Sequence, residues 1–589
     1  MKIKIAVVLI VLCFVCYAET HIPAGEVSGT WNIAGSPYLI ESGINVPENN
    51  TLNIEPGVVI TFINEWVTFN IFGSLIAIGT ESDSIYFFCA DTTDITEILF
   101  SDIDVTSQDA SAFEYCDIRN CLIQFNNSSN ITIESCIVAD GEGLSLDNSS
   151  PTISNTLIDN NSKDYGGGIF GNNHSNPVIT NVIISNNHAF AGGGLCFGNN
   201  SLPSFCNVLI DCNVASGGGG GLLIDSIDIN TSSITGVEVC NNIANIGGGI
   251  SISRSRIKLH DITISGNVGS EQGGGIYCNS LDIDGRDVYL ENVKITENSC
   301  EEDGMGGGMV CISLNIFMSN CLISNNTSWE TGGIYGANAN LVLNNVTVTE
   351  NVATDCYFVG GIGIELDSTL RMKNSILWNN SEYELFFYNV WSYDVQYSDI
   401  DDGGFQGIGN ISVDPLFADS DYHLSNNSPC IDAGNADSLY YDIEDPANPG
   451  YALYPASGTI TNDMGMDGGH GYHDEIIFVP GNDNNTVSAD NNITLSNYPN
   501  PFNPSTTISF DVPQTALFAT IEIYNIKGQK VKTLDCCNSF AAAPKKLTHS
   551  KTVTWDGTDQ TGKSVSSGIY FARLKAGKTE ASCKMLLLK

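Results

Sequence analysis

Basic residues are scarce in this chain, which has 23 lysines and arginines against 67 aspartates and glutamates and a net charge of −44. The imbalance is uneven, because residues 19–492 hold 61 acidic and 9 basic residues, whereas residues 493–589 hold 6 acidic and 12 basic residues. A surface this acidic repels the phosphates of nucleic acids and of anionic membranes. The sequence therefore excludes nucleic acid as a partner of the main body.

Long apolar runs are also scarce, and the clearest lies at the start of the chain. Residues 5–17 are apolar without interruption, Lys2 and Lys4 precede them, and a small-x-small site ends at Ala18. This pattern predicts a secretory signal peptide over residues 1–18, cleaved between Ala18 and Glu19. The run is too short to cross a bilayer, which takes about 20 residues, and no other stretch predicts a transmembrane segment.

Cysteine and histidine show none of the spacings that mark a site. Of the 19 cysteines, 17 follow the signal, an odd number at irregular intervals and often at apolar positions of a repeat. We therefore interpret most of them as small buried hydrophobic residues rather than disulfides. The eight histidines are scattered, so we predict no metal or cofactor site. Calcium would suit the acidic surface, but no motif specifies it.

Glycine, in contrast, is abundant and falls into a repeat. Triplets begin at residues 166, 192, 219, 247, 273 and 306, with degenerate copies at Thr331 and Val359. No triplet is followed by the Lys-Ser/Thr of a phosphate-binding loop. A period of about 27 residues over this many copies is typical of a solenoid. Glycine suits its corners because it reaches positive φ, and because a bulky corner would meet its copy in the next coil.

Apolar and polar residues alternate within each repeat, which predicts short half-buried strands. In residues 247–267 the alternations lie at 250–252, 257–259 and 262–264. The sequence therefore predicts an all-β fold, a right-handed parallel β-helix with three short strands per coil over residues 19–395, N-terminal cap included. The residues expected to face inward are Val182, Ile184, Val208, Ile210, Ile262, Ile264, Val293, Ile295, Val346 and Val348.

A motif ending in asparagine recurs once per coil, and we expect these asparagines to stack as a ladder with left-handed backbones, which asparagine tolerates. They are Asn161, Asn187, Asn213, Asn242, Asn267, Asn298, Asn326, Asn351 and Asn380.

Two further stretches resemble exported bacterial β-helix proteins. Residues 27–87 contain VPENNTLNIEPGVVITF, which resembles the segment that opens many such helices, and the GGG(I/L/M) and (I/V)xxN repeats resemble those of polymorphic outer-membrane proteins. Residues 396–480 contain DPLF and SPCIDAG, which resemble the end of the β-helix in surface proteins and predict a C-terminal cap. The polar stretch at 481–492 predicts a linker.

The C-terminal residues 493–589 carry the most specific motifs: YPNPFNP at 498–504, IYNIKGQ at 523–529, WDGTDQTGK at 555–563 and SGIYFARL at 567–574. About seven short alternating strands predict a small immunoglobulin-like β-sandwich. The segment resembles the type A C-terminal sorting domain of the type IX secretion system. The matching residues are Tyr498, Pro499, Asn500, Pro501, Phe502, Trp555, Asp556, Gly557, Gly568, Tyr570 and Lys589. The resemblance implies the type IX machinery as a partner, and the outer-membrane surface or exterior of a Gram-negative bacterium as the destination.

Catalytic motifs are harder to find. Pectin-degrading lyases and hydrolases share the β-helix, but Arg256-Ile257-Lys258, Asp401-Asp402 and Gly469-His470-Gly471 stand in the wrong order for a polygalacturonase, and its Asn-Thr-Asp motif is missing. A lyase would need a basic residue beside clustered carboxylates, and no fixed spacing provides one. Fold analogy alone does not give activity, so we identify no catalytic residue.

One outward-facing set remains, which we name the basic-aromatic row. We expect Lys258, Tyr289, Phe317 and Lys373 to lie in one column, with Arg256 and Arg371 beside it. Aromatic faces contact sugar rings and arginine pairs with carboxylates, so the row could bind an acidic glycan; ordinary exposed strand decoration is the alternative. The leading hypothesis is a non-enzymatic adhesin or glycan-binding protein whose partner is a polysaccharide or cell-surface glycan. The alternatives are a polysaccharide lyase or hydrolase and a purely structural surface protein.

Overall fold

The computed structural model describes residues 19–470 and 494–587, apart from 65, 90–95, 103–109, 281–285, 302, 356–357, 402, 499–501, 512–519, 526, 528, 535–550, 561 and 577–578. The predicted signal peptide, the linker at 481–492, Pro499, Asn500, Pro501 and Lys589 thus lie outside the described residues. The chain divides into two units, Met1–Ile477 and Phe478–Lys589, close to the start of the predicted linker.

The first unit is a stack of coils whose strands form three parallel sheets. Sheet A has 25 strands: Thr20–Ile22, Gly29–Trp31, Tyr38–Ile40, Thr51–Ile54, Val59–Phe62, Ser74–Ile78, Ile85–Cys89, Ser111–Glu114, Cys116–Arg119, Ile131–Glu134, Ile137–Ala139, Thr152–Ser154, Leu157–Asp159, Val178–Ser185, Ser204–Asp211, Asp228–Thr235, Val237–Cys240, Arg256–Ser265, Asp287–Thr296, Asn315–Ser324, Asn340–Thr349, Thr369–Lys373, Ile376–Trp378, Ser392–Gln396 and Asp399–Ile400.

Sheet B has 15 strands: Gly25–Glu26, Ile44–Val46, Thr68–Ile71, Thr96–Ser101, Cys121–Asn126, Gly143–Asp147, Ile169–Asn172, Leu195–Gly198, Leu222–Asp225, Ile250–Ser253, Ile276–Asn279, Met309–Ile312, Ile334–Ala337, Ile362–Glu365 and Leu385–Tyr388. Sheet C has eight strands: Ser162–Tyr165, His188–Ala191, Val214–Ala215, Ile243–Ile246, Val268–Gln272, Ser299–Cys300, Thr327–Ser328 and Val352–Ala353. Within the described ranges, two 3-10 helices lie at Ile33–Gly35 and Ser438–Tyr440.

Three strands per coil are confirmed, but in the coil of residues 247–272 they are not the three that the alternation indicates. The predicted strands at 257–259 and 262–264 are halves of one sheet A strand, Arg256–Ser265, which bends at Asp261 with φ of 54°. The third sheet is sheet C, represented in this coil by Val268–Gln272. Its sequence, VGSEQ, does not alternate, so hydrophobic periodicity gave no sign of it.

The core lies inside the stack and is built as predicted. All ten residues expected to face inward are at most 3% exposed. Because a one-residue slip would move every side chain of a strand to the other face, their burial fixes the register of sheet A. Equivalent residues also pair directly between coils, as Ile262 does with Val293 and Ile264 with Ile295.

The asparagine ladder is confirmed in full. Each ladder asparagine from Asn161 to Asn351 donates from Nδ2 to Oδ1 of the next one at 2.8–3.0 Å. The expectation of a left-handed backbone at these asparagines is wrong: positive φ falls on the preceding residue, which is Asn186 in one coil, Cys212 in the next and Glu297 in a later one. That preceding residue makes the corner, and the ladder asparagine satisfies buried polar groups of the neighbouring coils.

The described cysteines are all free thiols, and those at core positions are buried. Cys278 and Cys311 face inward from neighbouring sheet B strands, and both are fully buried. Burial raises the pKa of both thiols, so they remain protonated apolar fillers. The interpretation of most cysteines as small hydrophobic residues is confirmed for these positions.

The predicted C-terminal cap packs against the side of the coils as well as following their end. Tyr422 Oη accepts a 2.8 Å hydrogen bond from Asn325 Nδ2, and Lys294 Nζ lies 3.3 Å from Asp421. Thr347 points outward from sheet A, yet it is only 1% exposed. The segment therefore covers the outer face of the last coils and removes it from solvent.

Among its described residues, the second unit contains two antiparallel sheets that share one core, which confirms the predicted β-sandwich. One sheet has strands Thr494–Tyr498, Thr506–Asp511 and Lys551–Trp555. The other has Lys530–Leu534, Thr520–Asn525, Gly568–Ala576 and Thr579–Leu587. Trp555 is completely buried at the centre.

Candidate functional site: an aromatic cleft beside the glycine triplets

A cleft of about 710 Å³ opens on the side of the first unit, where sheet C meets sheet B. We name it the aromatic cleft. Its lining residues are Glu142, Ser162, Lys163, Asp164, Tyr165, Phe170, His188, Ala189, Phe190 and Ser216. A cavity of this size falls in the range of small-ligand sites, which span about 300–1,000 Å³.

The cleft lies where the third sheet begins. Before Asn161 the described residues include no sheet C strand, and in the coil just before it the chain passes from sheet A to sheet B through a short turn that includes Glu142. Ser162–Tyr165 is the first strand of sheet C and pairs on one side with His188–Ala191. The coil widens at this point, and the step between the narrow and the wide coils forms the cleft.

The glycine triplet holds the wall of the cleft close to its copy in the next coil. Gly166 turns the corner with φ of 62°. A Cβ added to Gly167 would lie 2.5 Å from the carbonyl oxygen of Gly193, a distance that real Cβ atoms do not tolerate. The triplet therefore brings Tyr165, the residue just before it, and Phe170, two residues after it, into fixed neighbouring positions.

Three aromatic rings of the cleft lie near one another at different angles. Tyr165 and Phe190 have ring centroids 6.3 Å apart and an interplanar angle of 76°. Tyr165 and Phe170 are also 6.3 Å apart, at 45°. Tyr165 and Phe190 are 49% and 57% exposed, so both rings are open to solvent. The rings form a corner rather than a flat platform.

Lys163 is the basic residue of the cleft, and acidic groups surround it. Its Nζ lies 3.9 Å from Glu142 Oε2, and its side chain is 20% exposed. Burial lowers the pKa of Lys163, an effect that the charges of Glu142, Glu97 and Asp164 oppose. Lysine on an edge strand also protects a sheet from pairing with other chains, and that structural role fits Lys163 equally well.

The same flank is closed further along the stack. Tyr277, Val310 and Tyr335 occupy outward positions of sheet B but are at most 8% exposed, because Ile246 and Met305 pack against them. On this flank the aromatic rings are exposed at the first sheet C coils, at Tyr165 and Phe190, and again at Tyr388 on the last sheet B strand. Sequence reasoning did not select these residues, although the stretch YGGGIF at 165–170 carries two of the three rings.

The basic-aromatic row is assembled only in part. Tyr289 and Phe317 are register partners and stack with centroids 4.9 Å apart at 15°, and Lys258 pairs with Tyr289. The position predicted for Lys373 is wrong: Arg371 pairs with Val342 and completes the column, while Lys373 pairs with Asn344. Arg256 belongs to the neighbouring outward position, opposite Asp228.

The lysines of the row already have partners on the protein. Lys258 Nζ contacts Glu291, and Glu291 also lies 3.6 Å from His260 Nδ1. Lys373 Nζ is 3.3 Å from Tyr440 Oη of the cap segment and 5.4 Å from the centre of that ring. These contacts reduce the positive charge that the row can offer to an acidic glycan.

Buried carboxylates hold the cap segment together. Asp442 Oδ2 accepts a hydrogen bond from the Asp463 backbone N–H at 3.2 Å, and Asp463 accepts from the backbone N–H groups of Asp432 and Ser457 at 2.7 Å. Burial, and then the charge of Asp463, raises the pKa of Asp442 to about 8. Within the part of the chain that the structure describes, no group of three or more His, Cys, Asp and Glu is arranged to hold a metal ion.

The described sorting motif residues build the centre of the second unit. Trp555 contacts Phe502 and Tyr570 with centroid distances of 5.5 and 5.0 Å. Its Nε1 donates to the Thr558 carbonyl at 2.9 Å, across a turn in which Gly557 has φ of 72°. Thr558 also donates to Asp556, and this hydrogen bond lowers the pKa of Asp556 to about 2. Gly568 begins a strand.

Comparison with known proteins agrees with this architecture. Residues 496–588 match the secretion system C-terminal sorting domain, and residues 42–207 match the right handed beta helix region. The crystal structure of pectate lyase Pel9A is similar over 72% of this chain and 89% of that chain, at 12% identity and a TM-score of 0.26, too weak a likeness to bear on activity. A search of curated proteins finds no match.

The chain is thus a right-handed parallel β-helix protein that carries a type IX sorting domain. That domain implies handling by the type IX secretion machinery and secretion across the outer membrane to the cell surface or the exterior. Among the described residues, no helix is long and apolar enough to cross a membrane.

Proposed function

We propose that the protein is a non-enzymatic glycan-binding protein or adhesin, and that the aromatic cleft is its binding site. The observation that carries the proposal is the pair of exposed rings, Tyr165 and Phe190, at the mouth of a cavity of about 710 Å³. Aromatic rings combine a large apolar face with restricted side-chain freedom, which suits contact with a ligand surface. Lys163, Glu142 and His188 supply polar groups that could fix the orientation of sugar hydroxyls.

The proposal includes a route to the outside. Residues 1–18 direct the chain across the inner membrane of a Gram-negative bacterium, and cleavage after Ala18 leaves Glu19 as the first residue. The sorting domain then hands the folded protein to the type IX machinery. The body is a compact unit with its own core, so we expect it to fold without the sorting domain and to wait in the periplasm before the second step.

The basic-aromatic row is retained as a secondary contact. Its support is the parallel stack of Tyr289 and Phe317, whose faces suit a sugar ring. The pairing of Lys258 with Glu291 makes it a weaker candidate for an acidic glycan than the sequence indicates.

A glycan array on the full-length protein tests the proposal. We expect saturable binding to at least one glycan, abolished by Tyr165→Ala and by Phe190→Ala. Tyr388→Ala is the matched control, because Tyr388 is equally exposed at 60% but belongs to the last sheet B strand. Binding that survives both cleft substitutions would contradict the proposal. Release of unsaturated or reducing ends from any glycan would favour the lyase or hydrolase alternative.

A further inference from the structure

The arrangement of the rings in the aromatic cleft limits the shape of its ligand. A flat crystalline polysaccharide needs coplanar rings in a row, but the planes of Tyr165 and Phe190 differ by 76° and those of Tyr165 and Phe170 by 45°. Rings at such angles can contact different faces of the same sugar chain. The cleft is therefore shaped for a segment of a single chain, or for a chain end, and not for a surface.

The charge around the cleft limits the ligand further. Glu142 and Asp164 line it, and Glu97 is close enough to act on Lys163. Against these three carboxylates stand one lysine, whose amine lies 3.9 Å from Glu142, and His188. A uronate carboxylate entering the cleft would compete with Glu142 for the lysine and would meet the other acidic groups at short range.

The charge of the whole body acts in the same direction. Residues 19–492 hold 61 acidic and 9 basic residues, so a polyanion is repelled before it reaches the cleft. Hydroxyl groups suffer no such penalty, because carboxylates accept hydrogen bonds from them readily. Local and global electrostatics thus agree on an uncharged ligand.

We infer that the aromatic cleft selects an uncharged segment of a single soluble glycan chain and discriminates against polyuronates and crystalline polysaccharides. The inference rests on the proposed function and gives it a ligand class. It opposes the acidic glycan suggested by the basic-aromatic row. Glu142 is a specificity residue in this account, because it occupies the lysine and repels anions.

The test measures affinity of the full-length protein for soluble neutral oligosaccharides, such as gluco-, manno- and xylo-oligosaccharides, and for oligogalacturonate, with microcrystalline cellulose as the surface probe. At least one neutral chain should bind at least tenfold more tightly than oligogalacturonate, and cellulose should not retain the protein. Glu142→Gln should narrow that ratio by improving oligogalacturonate binding.

Glu238→Gln is the matched control, since it removes the same charge from an exposed sheet A position and should leave the ratio unchanged. Preferential binding of oligogalacturonate that is lost in Phe190→Ala would overturn the inference and leave the proposed function standing. Retention of the protein on cellulose that is lost in Phe190→Ala would also overturn the inference. If no probe binds in a manner that depends on Tyr165 or Phe190, the proposed function itself fails. An equal gain of oligogalacturonate affinity in Glu238→Gln would show that only global charge matters and would refute the role given to Glu142.

Discussion

Asn187 Nδ2 donates to Asn213 Oδ1 at 2.9 Å, and the Asn187 backbone N–H donates to the same oxygen at 3.0 Å. Asn213 in turn donates to the Ile184 carbonyl and to Asn242. One completely buried side chain thus satisfies polar groups in three successive coils, which no apolar residue could do.

Replacing Asn213 by Ala should therefore destabilise the β-helix by about 2–5 kcal/mol, because several buried donors and acceptors lose their partner at once. Denaturant unfolding of the full-length protein measures this. Asn340→Ala is the control, since Asn340 bonds to Asn315 on the exposed outer face and should cost less than about 1 kcal/mol. Equal losses in the two variants would show that the ladder does not stabilise the stack.

Ile264→Asp tests the register of sheet A. Ile264 is completely buried, and an unpaired carboxylate there should unfold the neighbouring coils, since each coil is held by the coils beside it. Thr263→Asp places the same charge one residue away on the outer face and should be tolerated. Limited proteolysis followed by mass spectrometry distinguishes the two variants. Resistance of Ile264→Asp, or sensitivity of Thr263→Asp, would contradict the inward face assigned here.

The cap segment should loosen as pH rises. The folded-state pKa values of Asp442 and Asp463 are raised to about 8 and about 7, with burial the largest cause, against about 3.9 in an unfolded chain. Between these values the folded state binds more protons, so its free energy of unfolding falls as pH increases. The hydrogen-exchange protection factors in residues 401–470, which correct for the base-catalysed intrinsic exchange rate, should be larger at pH 5.5 than at pH 8.5.

Asp442→Asn keeps an acceptor for Asp463 and Gly469 but cannot ionise, so it should flatten this pH dependence. The His423–Asp467 pair, 2.7 Å apart, is the same in both proteins. Any pH dependence that this pair causes therefore remains in Asp442→Asn. Equal protection factors at both pH values in the unaltered protein would show that these carboxylates do not control the segment.

Removal of residues 493–589 tests the export route. We expect a folded, protease-resistant body that stays in the periplasm, because the two units have separate cores and the sorting domain is the address. Fractionation of the native host, with and without the domain, gives the result. Appearance of the truncated protein outside the cell would remove the main support for type IX delivery.

The sequence alone predicted the fold because its strongest signals are local. Alternation placed Ile264 inside, and the recurring asparagine placed Asn187 in the ladder, since both patterns report burial directly. Sheet C was not predicted, because a strand such as Val268–Gln272 is held by backbone hydrogen bonds and carries no alternating pattern of apolar and polar residues. The predicted position of Lys373 is wrong by two residues, because the register is set by the bend in each strand. The bends lie at Asn345 and Asn374, which have positive φ. Val342 and Arg371 each precede their bend by three residues, so these two residues pair.

The aromatic cleft could not be predicted, because it arises from a change in coil width and not from any motif. No sequence pattern near Glu142 predicts that the next coil gains a strand. Phe190 is also distant in sequence from Phe170, so the sequence does not indicate that they share a cleft. The sequence shows only that Tyr165 and Phe170 lie close together along the chain, on either side of the first triplet.

The most direct test of the account is the affinity of the full-length protein and of Phe190→Ala for the glycan that the array selects, measured by isothermal titration calorimetry. We predict saturable binding by the unaltered protein and a loss of at least tenfold, about 1.4 kcal/mol, in the variant. Its thermal unfolding should be unchanged because Phe190 is 57% exposed. Equal affinities of the two proteins would contradict the assignment of the aromatic cleft as the binding site.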